Sequence, residues 1–291
     1  MTHPGISVVV LTHNRRDTLA HTLHQLSALP EHPRVAVVDN GSTDGTCAML
    51  AEQFPEVACL PCRTNLGAAG RNVGAAWAST PYVAFCDDDC WWQAGALTRA
   101  CAMFDANPEI ASLTARILVG HSQREDPTST AMSHSPLPSA GLPGRMILGI
   151  MAGATAFRIS AYMEAGGYDP RFFIGGEETL LSLRLAARGW SLVYAPDLIV
   201  HHYPSAARDA QQRRAMLARN AVWSAWLCLP ATMAMTETLA ALPALAKELE
   251  RDDWMDLLRG MRWVLQERQV VPRHVVSALR LVRSARHHHE R

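Results

Sequence analysis

Short runs of apolar, β-branched residues alternate with longer amphipathic stretches over the first two thirds of the chain. The apolar runs predict buried strands, because the alternation of apolar and polar residues disappears when both faces of a strand are covered. In order, they occupy residues 6–12, 34–39, 56–60 and 82–86. The stretches between them, such as 15–29 with leucine at helical spacing, predict helices. Strands that alternate with helices form βαβ units, so we expect an α/β fold around a Rossmann-like, mostly parallel sheet flanked by helices.

The middle of the chain has a weaker pattern. It predicts a helix at 94–105 and strands at 111–119, 192–194 and 198–200. Residues 120–144 are rich in Ser, Pro, His and Gly and lack periodicity, which predicts a long loop. A leucine-rich helix is expected to begin at Glu177-Glu178 and to end before Gly189.

Beyond residue 204 the pattern is helical, which predicts a domain at 1–204 and a helical appendage at 205–291. The apolar stretch 222–246 is interrupted by Pro230 and Pro243, so it does not predict a membrane-spanning helix. A buried helical hairpin is the simpler interpretation, and a surface for a membrane or a partner is the alternative.

The last predicted helix is amphipathic and basic. Its apolar face consists of Val271, Val275, Leu279 and Val282, with most of the neighbouring arginines off that face. A helix of this kind can lie on an anionic membrane. Packing against its own domain is the interpretation that we favour.

Composition excludes several classes of protein. The net charge of the 291 residues is zero, so no overall positive field attracts nucleic acid. The hydrophobic fraction of 48% and the charged fraction of 19% are typical of a globular enzyme. The beginning of the chain lacks the pattern of a signal peptide, and a single Cys59-x-x-Cys62 does not predict a zinc site. We therefore expect a cytoplasmic protein with free cysteines.

Three consecutive aspartates follow the apolar run at 82–86. Asp87, Asp88 and Asp89 would repel one another unless a cation or solvent compensates their charges. Carboxylate oxygens suit Mg²⁺ or Mn²⁺, which also bind substrate phosphates. Ligands of open α/β sheets bind at the carboxyl ends of the strands, where these residues would lie. The motif predicts a metal–diphosphate site, with a solvated acidic turn as the alternative.

Polar residues also end the first two strands. Thr12, His13, Asn14 and Arg15 end the first one, and Asp39 ends the second. A nucleotide would bind at this edge of the sheet. Asp39 could accept a hydrogen bond from a base or a ribose hydroxyl, or it could cap its own turn.

A glycine-rich segment follows, Asn65-x-Gly67-x-x-Gly70-Arg71-Asn72-x-Gly74. Small residues let a helix approach a ligand or another backbone closely, and Arg71 could reach a diphosphate or an acidic neighbour. Tight packing of a helix on the sheet explains the glycines equally well. The G-x-G-x-x-G string that dinucleotide enzymes carry after the first strand is absent from this sequence.

Taken together, these motifs resemble family 2 glycosyltransferases, which transfer sugars from nucleoside-diphosphate sugars and have the GT-A fold. The similarity covers about residues 6–203. It implies that the nucleotide sugar is bound by Thr12, His13, Asn14, Arg15, Asp39, Gly41, Ser42, Asn65, Gly67, Arg71, Asp87 and Asp88.

The same resemblance implies a Mn²⁺ or Mg²⁺ site and a catalytic base. The aspartates match the D-x-D metal motif, with Asp89 as the expected direct ligand and Asp87 as its second acid. His201 resembles the histidine that completes the metal site after the last strand. Glu177 and Glu178 stand where the family usually has Glu-Asp, which favours Glu178 as the base and keeps Glu177 as its rival.

The resemblance further implies an inverting displacement in which Glu178 takes a proton from an acceptor hydroxyl. UDP is the expected donor nucleotide, with dTDP and GDP as alternatives. The acceptor would be a glycan, a lipid-linked sugar or a natural product. Independently of the resemblance, the C-terminal helices could bring the enzyme to the inner face of the membrane as a peripheral protein. Two alternatives remain: a sugar-1-phosphate nucleotidylyltransferase, and a catalytically silent binding module of the same fold.

Overall fold

The computed structural model describes residues 5–204 and 210–289, and in it the apolar runs become neighbouring strands. The strands are β1 (Ile6–Thr12), β2 (Arg34–Asp39), β3 (Ala58–Pro61), β4 (Tyr82–Asp87), β5 (Cys90–Trp92), β6 (Ile110–Val119), β7 (Arg124–Glu125), β8 (Arg145–Met146), β9 (Thr155–Arg158) and β10 (Ser191–His202). The helices are α1 (Arg16–Ser27), α2 (Thr46–Gln53), α3 (Gly70–Trp77), α4 (Ala96–Ala106), α5 (Pro127–Ser133), α6 (Ile159–Glu164), α7 (Glu177–Ala187), α8 (Ala210–Cys228), α9 (Ala231–Glu248), α10 (Arg251–Gln266) and α11 (Arg273–His289).

These strands form a single mixed sheet in the order β3-β2-β1-β4-β9-β6-β10-β5, with β7 beside β6 and β8 beside β10. The first four strands are parallel, whereas β9 runs antiparallel to both of its neighbours. Thr12 is paired with Asp39, and Leu11 is paired with Asp87. The ends of β1, β2 and β4 therefore meet at one edge of the sheet, as the sequence predicts.

The two faces of the sheet carry separate apolar clusters. Leu19 and Leu23 of α1 and Phe104 of α4 are fully buried on one face. On the other face α3 approaches β1 so closely that a Cβ at Gly74 would lie 2.2 Å from Val9 Cγ1. The glycines of α3 therefore serve tight helix–sheet packing, which was one of the two interpretations of the glycine-rich segment.

The segment 120–144 is more ordered than the sequence predicts, because it contains β7 and α5. Asp126 caps α5 by accepting a hydrogen bond of 2.7 Å from the Thr128 N–H, and Pro127 is the first residue of the helix. Ser129 of α5 is buried and accepts a hydrogen bond of 2.9 Å from the Ile117 N–H of β6. An aspartate followed by proline is a recognised helix start, so a local signal for α5 was present in the sequence.

Two further differences concern β10 and β5. The predicted strands 192–194 and 198–200 are parts of one strand, β10, whose pairing with β6 shifts between Ala195 and Ile199. The exposed Pro196 and Asp197 form this bulge. Because they interrupt the apolar pattern, the sequence predicts two short strands in place of one. β5 was not predicted, because its three residues form a strand only by pairing with the end of β10.

The C-terminal helices pack on the same face of the sheet as α3 and α7. Trp223 of α8 and Trp263 of α10 contact Phe172, with ring centroids 6.1 and 6.4 Å from the centroid of the Phe172 ring. Val271 and Val275 are buried in the same cluster, so the apolar face of α11 packs on its own protein, as we favoured. The domain boundary at residue 204 stays a prediction, and 205–209 lie outside the described residues. None of the helices in the described ranges is long and apolar enough to cross a membrane.

Candidate active site

The three aspartates after β4 have different partners, although they are consecutive in sequence. Asp87 is partly exposed and forms an ion pair with Arg71. Asp88 and Asp89 are buried, and both contact the Arg15 guanidinium. Arginines thus compensate much of the repulsion among the three carboxylates, whereas the sequence predicts that a cation or solvent compensates it.

Asp88 is held through both carboxylate oxygens. Its Oδ2 accepts a hydrogen bond of 2.9 Å from Thr12 Oγ1, and its Oδ1 accepts one from Arg15. Burial raises its pKa to about 7, although the charge of Arg15 acts in the opposite direction. Thr22 of α1 fixes the same turn by donating to the Asp88 carbonyl oxygen at 2.7 Å. Asp88 therefore orients Thr12 and Arg15 at the edge of the sheet where β1 and β4 end.

Asp89 lies beside His202, at the end of β10. His202 Nε2 is 3.5 Å from Asp89 Oδ1, and with Cys90 Sγ the potential ligand atoms lie within 4.8 Å of one another. This is the one such group of three among the residues that the structure describes. The thiol of Cys90 is a soft ligand, whereas Mn²⁺ and Mg²⁺ prefer harder donors. A carboxylate and an imidazole remain, and this pair of donors fits a Mn²⁺ ion.

His201, the predicted metal ligand, lies elsewhere. Its ring stacks on Trp91, with the ring centroids 5.7 Å apart. Because side chains alternate between the two faces of a strand, His201 and His202 point to opposite sides of β10. The structure therefore brings His202, and not His201, to Asp89.

Arg71 is the centre of the acidic part of the site. It is 5% exposed and forms its ion pair with Asp87, and its guanidinium carbon lies 5.7 Å from the centroid of the Tyr168 ring. Burial opposes the charge of Arg71, but the surrounding carboxylates, including those of Glu177 and Glu178, outweigh it, so the pKa of Arg71 is raised. The sequence predicts that Arg71 contacts either a diphosphate or an acidic residue, and in the structure it contacts an acidic residue, Asp87.

Glu178 is the second residue of α7 and lies near this cluster. Its Oε1 accepts a hydrogen bond of 2.6 Å from the Ala152 N–H. Burial raises its pKa to about 7, and the neighbouring charge of Glu177 adds to the effect. Glu177 is 5% exposed, its pKa is also raised by burial, and its Oε2 has no hydrogen-bond partner in the described ranges. A carboxylate whose pKa is near neutral is suited to general base catalysis.

At the end of β2, Asp39 caps its own turn. Its Oδ1 accepts a hydrogen bond of 2.9 Å from the Ser42 N–H, and its Oδ2 accepts one of 3.0 Å from Cys47 Sγ. Ser42 Oγ in turn accepts a hydrogen bond of 2.8 Å from the Asn14 N–H. The loops after β1 and β2 are thus joined into one unit at this edge of the sheet.

The remaining predicted residues of this edge lie close to that unit. His13 Nδ1 is 2.9 Å from the Asn40 carbonyl oxygen, and Asn65 Oδ1 accepts a hydrogen bond of 2.8 Å from the Gly67 N–H. Gly41 has a φ of 74° and lies against Thr64, where a Cβ would be 3.2 Å from the carbonyl carbon. The structure therefore brings the predicted nucleotide-binding residues to one edge of the sheet, apart from Arg71, which is buried beneath it.

Sequence reasoning missed three contributors. His202 differs from His201 only in the face of the strand on which it lies, and Cys47 contacts Asp39 from α2, without a motif. Ala152 acts through its backbone N–H, which no side-chain pattern reveals. The alternation of β10 could have identified His202, had the position of the bulge been known.

Comparison with known proteins identifies the family. The family model described as "Glycosyl transferase family 2" matches residues 7–163. The N-acetylglucosaminyl-diphospho-decaprenol L-rhamnosyltransferase of Mycobacterium tuberculosis is 27% identical over 245 residues, which cover 70% of this chain and 78% of that protein.

Two solved structures have the same fold at low sequence identity. GalNAc-T7, crystallised with UDP, GalNAc and Mn²⁺, is 15% identical with a TM-score of 0.63, and the match covers 91% of this chain and 56% of that one. The mannosyltransferase PcManGT of Pyrobaculum calidifontis, in complex with GDP-Man and Mn²⁺, is 16% identical with a TM-score of 0.55, and the match covers 98% and 87% of the two chains. These matches confirm the predicted family and GT-A fold. The chain therefore belongs to glycosyl transferase family 2 and is an enzyme that transfers a sugar from a nucleotide sugar.

Proposed function

We propose that this enzyme is a metal-dependent, inverting glycosyltransferase that transfers a sugar from a nucleoside diphosphate to an acceptor hydroxyl. The observation that carries the proposal is the placement of two kinds of acid at one edge of the sheet. Asp89 lies beside an imidazole that could share a cation with it, and Glu178, in the first turn of α7, has a pKa of about 7. The first arrangement suits a leaving diphosphate, and the second suits a base.

On the donor side, Asp89 and His202 would hold the metal ion. When bound, Mn²⁺ or Mg²⁺ supplies Lewis-acid stabilisation of the charge on the diphosphate. Thr12 and Arg15 are fixed by Asp88 and line the same edge, and Asp39 lies at the end of the adjacent strand, where the nucleoside would bind. Asp87, the predicted second acid of the metal motif, is engaged with Arg71, so we assign it to the support of the site.

On the acceptor side, Glu178 would be the base. Its Oε1 is fixed by the Ala152 N–H, which leaves Oε2 to take the proton of the acceptor hydroxyl. As that proton moves, the acceptor oxygen bonds to the anomeric carbon, and the bond to the diphosphate breaks on the opposite face. Glu177 is the more buried of the two acids, which favours Glu178 over it.

The similar proteins suggest the donor and the acceptor. The two solved structures contain UDP and GDP-Man, and we take UDP as the first donor nucleotide to test. The mycobacterial relative is named for a lipid-linked N-acetylglucosaminyl diphosphate, so we propose a lipid-linked sugar as the acceptor. Exposed Met235, Leu239 and Leu242 on α9 support peripheral contact with a membrane that contains such an acceptor.

The first experiment is a thermal unfolding series with UDP, dTDP and GDP, each with and without Mn²⁺. A ligand at 100 times its dissociation constant adds about 2.7 kcal/mol to the free energy of unfolding, which visibly raises Tm. We expect one nucleotide to raise Tm and to require Mn²⁺ for most of the effect. Asp89→Asn is the control, in which the metal-dependent part should disappear. A shift that is equal with and without Mn²⁺, in both proteins, would contradict metal dependence.

A further inference from the structure

The segment between Phe172 and Glu177 determines where the two acids of α7 lie. Phe173 adopts a φ of 60°, which is rare for a residue with a side chain. Its carbonyl oxygen accepts a hydrogen bond of 2.7 Å from the Ala68 N–H, and a Cβ at Gly67 would lie 2.1 Å from that oxygen. The segment is thus fixed on one side by the turn that precedes α3.

On its other side the segment is held by Asn220 of α8. This residue is fully buried, and its Nδ2 donates its two N–H groups to the carbonyl oxygens of Phe172 at 2.8 Å and Gly175 at 2.6 Å, with the carbonyl oxygen of Ile174 as a longer contact at 3.2 Å. Its Oδ1 accepts a hydrogen bond of 3.1 Å from Arg219 Nε. Every polar atom of the side chain is therefore used, and the donors all point at the segment that leads into α7.

The two glycines that precede α7 make this support necessary. Gly175 and Gly176 have φ angles of 85° and 84°, and without a side chain they have wide conformational freedom. α8 lies directly on them: a Cβ at Gly176 would be 3.1 Å from Asn220 Cβ, and one at Gly175 would be 2.8 Å from Leu217 Cδ2. Gly176 is the N-cap of α7, so its position sets the direction in which the next two side chains leave the helix.

We propose that Asn220 is a positioning residue for the catalytic base, and that α8 is a functional part of the active site. By fixing the carbonyl groups of Phe172 and Gly175, Asn220 holds the first turn of α7 so that Glu178 Oε1 meets the Ala152 N–H. The inference rests on the proposed role of Glu178 as the base. It assigns to the C-terminal helices a role in the rate of transfer, beyond any contact with the acceptor.

The test is the kinetics of Asn220→Ala beside a matched control, Ser224→Ala. Ser224 lies one turn further along α8 and is also buried, but its Oγ has no hydrogen-bond partner within 5–204 and 210–289. A displacement of about 1 Å at a catalytic group can reduce the rate about 10²-fold. For Asn220→Ala we expect kcat to fall by about that factor, with the dissociation constant of the nucleoside diphosphate and Mn²⁺ unchanged. Ser224→Ala should retain the wild-type kcat.

A double-mutant cycle separates positioning from a general loss of structure. If Asn220 acts through Glu178, Asn220→Ala should cause little further loss of kcat in a Glu178→Gln enzyme. An equal loss in both backgrounds would overturn the proposal, as would wild-type kcat in Asn220→Ala. If the alanine variant does not fold, Asn220→Ser, which keeps one donor, enters the same cycle. A failure of the proposed function would be seen in a different result: Glu178→Gln alone would transfer sugar at the wild-type rate.

Discussion

The two acidic clusters of this enzyme differ in how their charges are compensated. At the end of β4 the aspartates face arginines: Asp87 is paired with Arg71, and Asp88 with Arg15. At the start of α7 the described part of the chain offers Glu178 no ion-pair partner within 4 Å, and the Ala152 N–H is its fixed donor. Carboxylates whose oxygens are held by arginines are suited to a role as scaffold or ligand, whereas a carboxylate with a raised pKa and an oxygen that no ion pair occupies is suited to proton transfer.

Asp88 and Glu178 show that a pKa alone does not identify a base. Burial raises the pKa of each to about 7. Both oxygens of Asp88 are engaged, one by Thr12 and one by Arg15, so neither is available to a substrate. The structure gives Glu178 a fixed hydrogen bond to Oε1, which leaves the second oxygen for the acceptor. Availability of an oxygen therefore distinguishes the two roles.

Removal of the proposed base, Glu178, should have the largest effect. Glu178→Gln keeps the size of the side chain but cannot take a proton, so we expect kcat to fall about 10²–10⁴-fold. Binding of the nucleoside diphosphate with Mn²⁺ should stay at the wild-type level, because Glu178 lies on the acceptor side. Steady-state rates and thermal shifts measure the two quantities separately.

Glu177→Gln is the matched control for that prediction, since it makes the same chemical change one residue earlier. It should retain most of kcat at pH 8, where Glu178 is ionised in both enzymes. A large loss of kcat in Glu177→Gln, together with a fully active Glu178→Gln, would exchange the roles of the two acids.

The two histidines at the end of β10 provide a second, smaller contrast. His202→Ala removes the imidazole beside Asp89, and we expect the Mn²⁺ concentration for half-maximal activity to rise about 10- to 100-fold. His201→Ala removes a ring that stacks on Trp91 and should change that concentration less than about twofold. A metal titration of both variants measures the difference. A larger rise in this Mn²⁺ concentration for His201→Ala than for His202→Ala would favour His201 as the metal ligand and another register of β10.

The sequence was informative wherever a property is local. The buried parallel strands follow from their apolar runs, and the acids at strand and helix ends follow from their position, so the sheet edge and both acidic clusters could be predicted. The choice between His201 and His202 could not, because it depends on a bulge at Pro196 and Asp197 that shifts the register of β10. The ion-pair partners of the acids could not be predicted either. Arg71 is sixteen residues from Asp87, and only the packing of α3 on β1 brings the two together.

The pH dependence of transfer gives the finest test of the comparison. As the proposed base, Glu178 must be ionised to act; its pKa of about 7 is above its usual value, so kcat should rise with pH and level off above about pH 8. Burial is the main cause of the shift, and the charge of Glu177 adds to it. Glu177→Gln removes that charge, so the rising part of the profile should move to lower pH. Relative to its own plateau, the variant should then be a few-fold more active than the wild type at pH 6.

Asp88 also titrates near pH 7, so the two ionisations must be separated. Values of kcat at saturating donor report ionisations in the substrate complex, where Glu178 acts, whereas Asp88 supports Thr12 and Arg15 and should affect donor binding. The pH dependence of the dissociation constant of the nucleoside diphosphate should therefore be the same in Glu177→Gln and the wild type. A profile of kcat that does not move in this variant would mean that Glu177 carries no charge near the base at neutral pH. Burial would then be the main cause of the raised pKa of Glu178, with the charge of Asp87 as the remaining contribution in that direction.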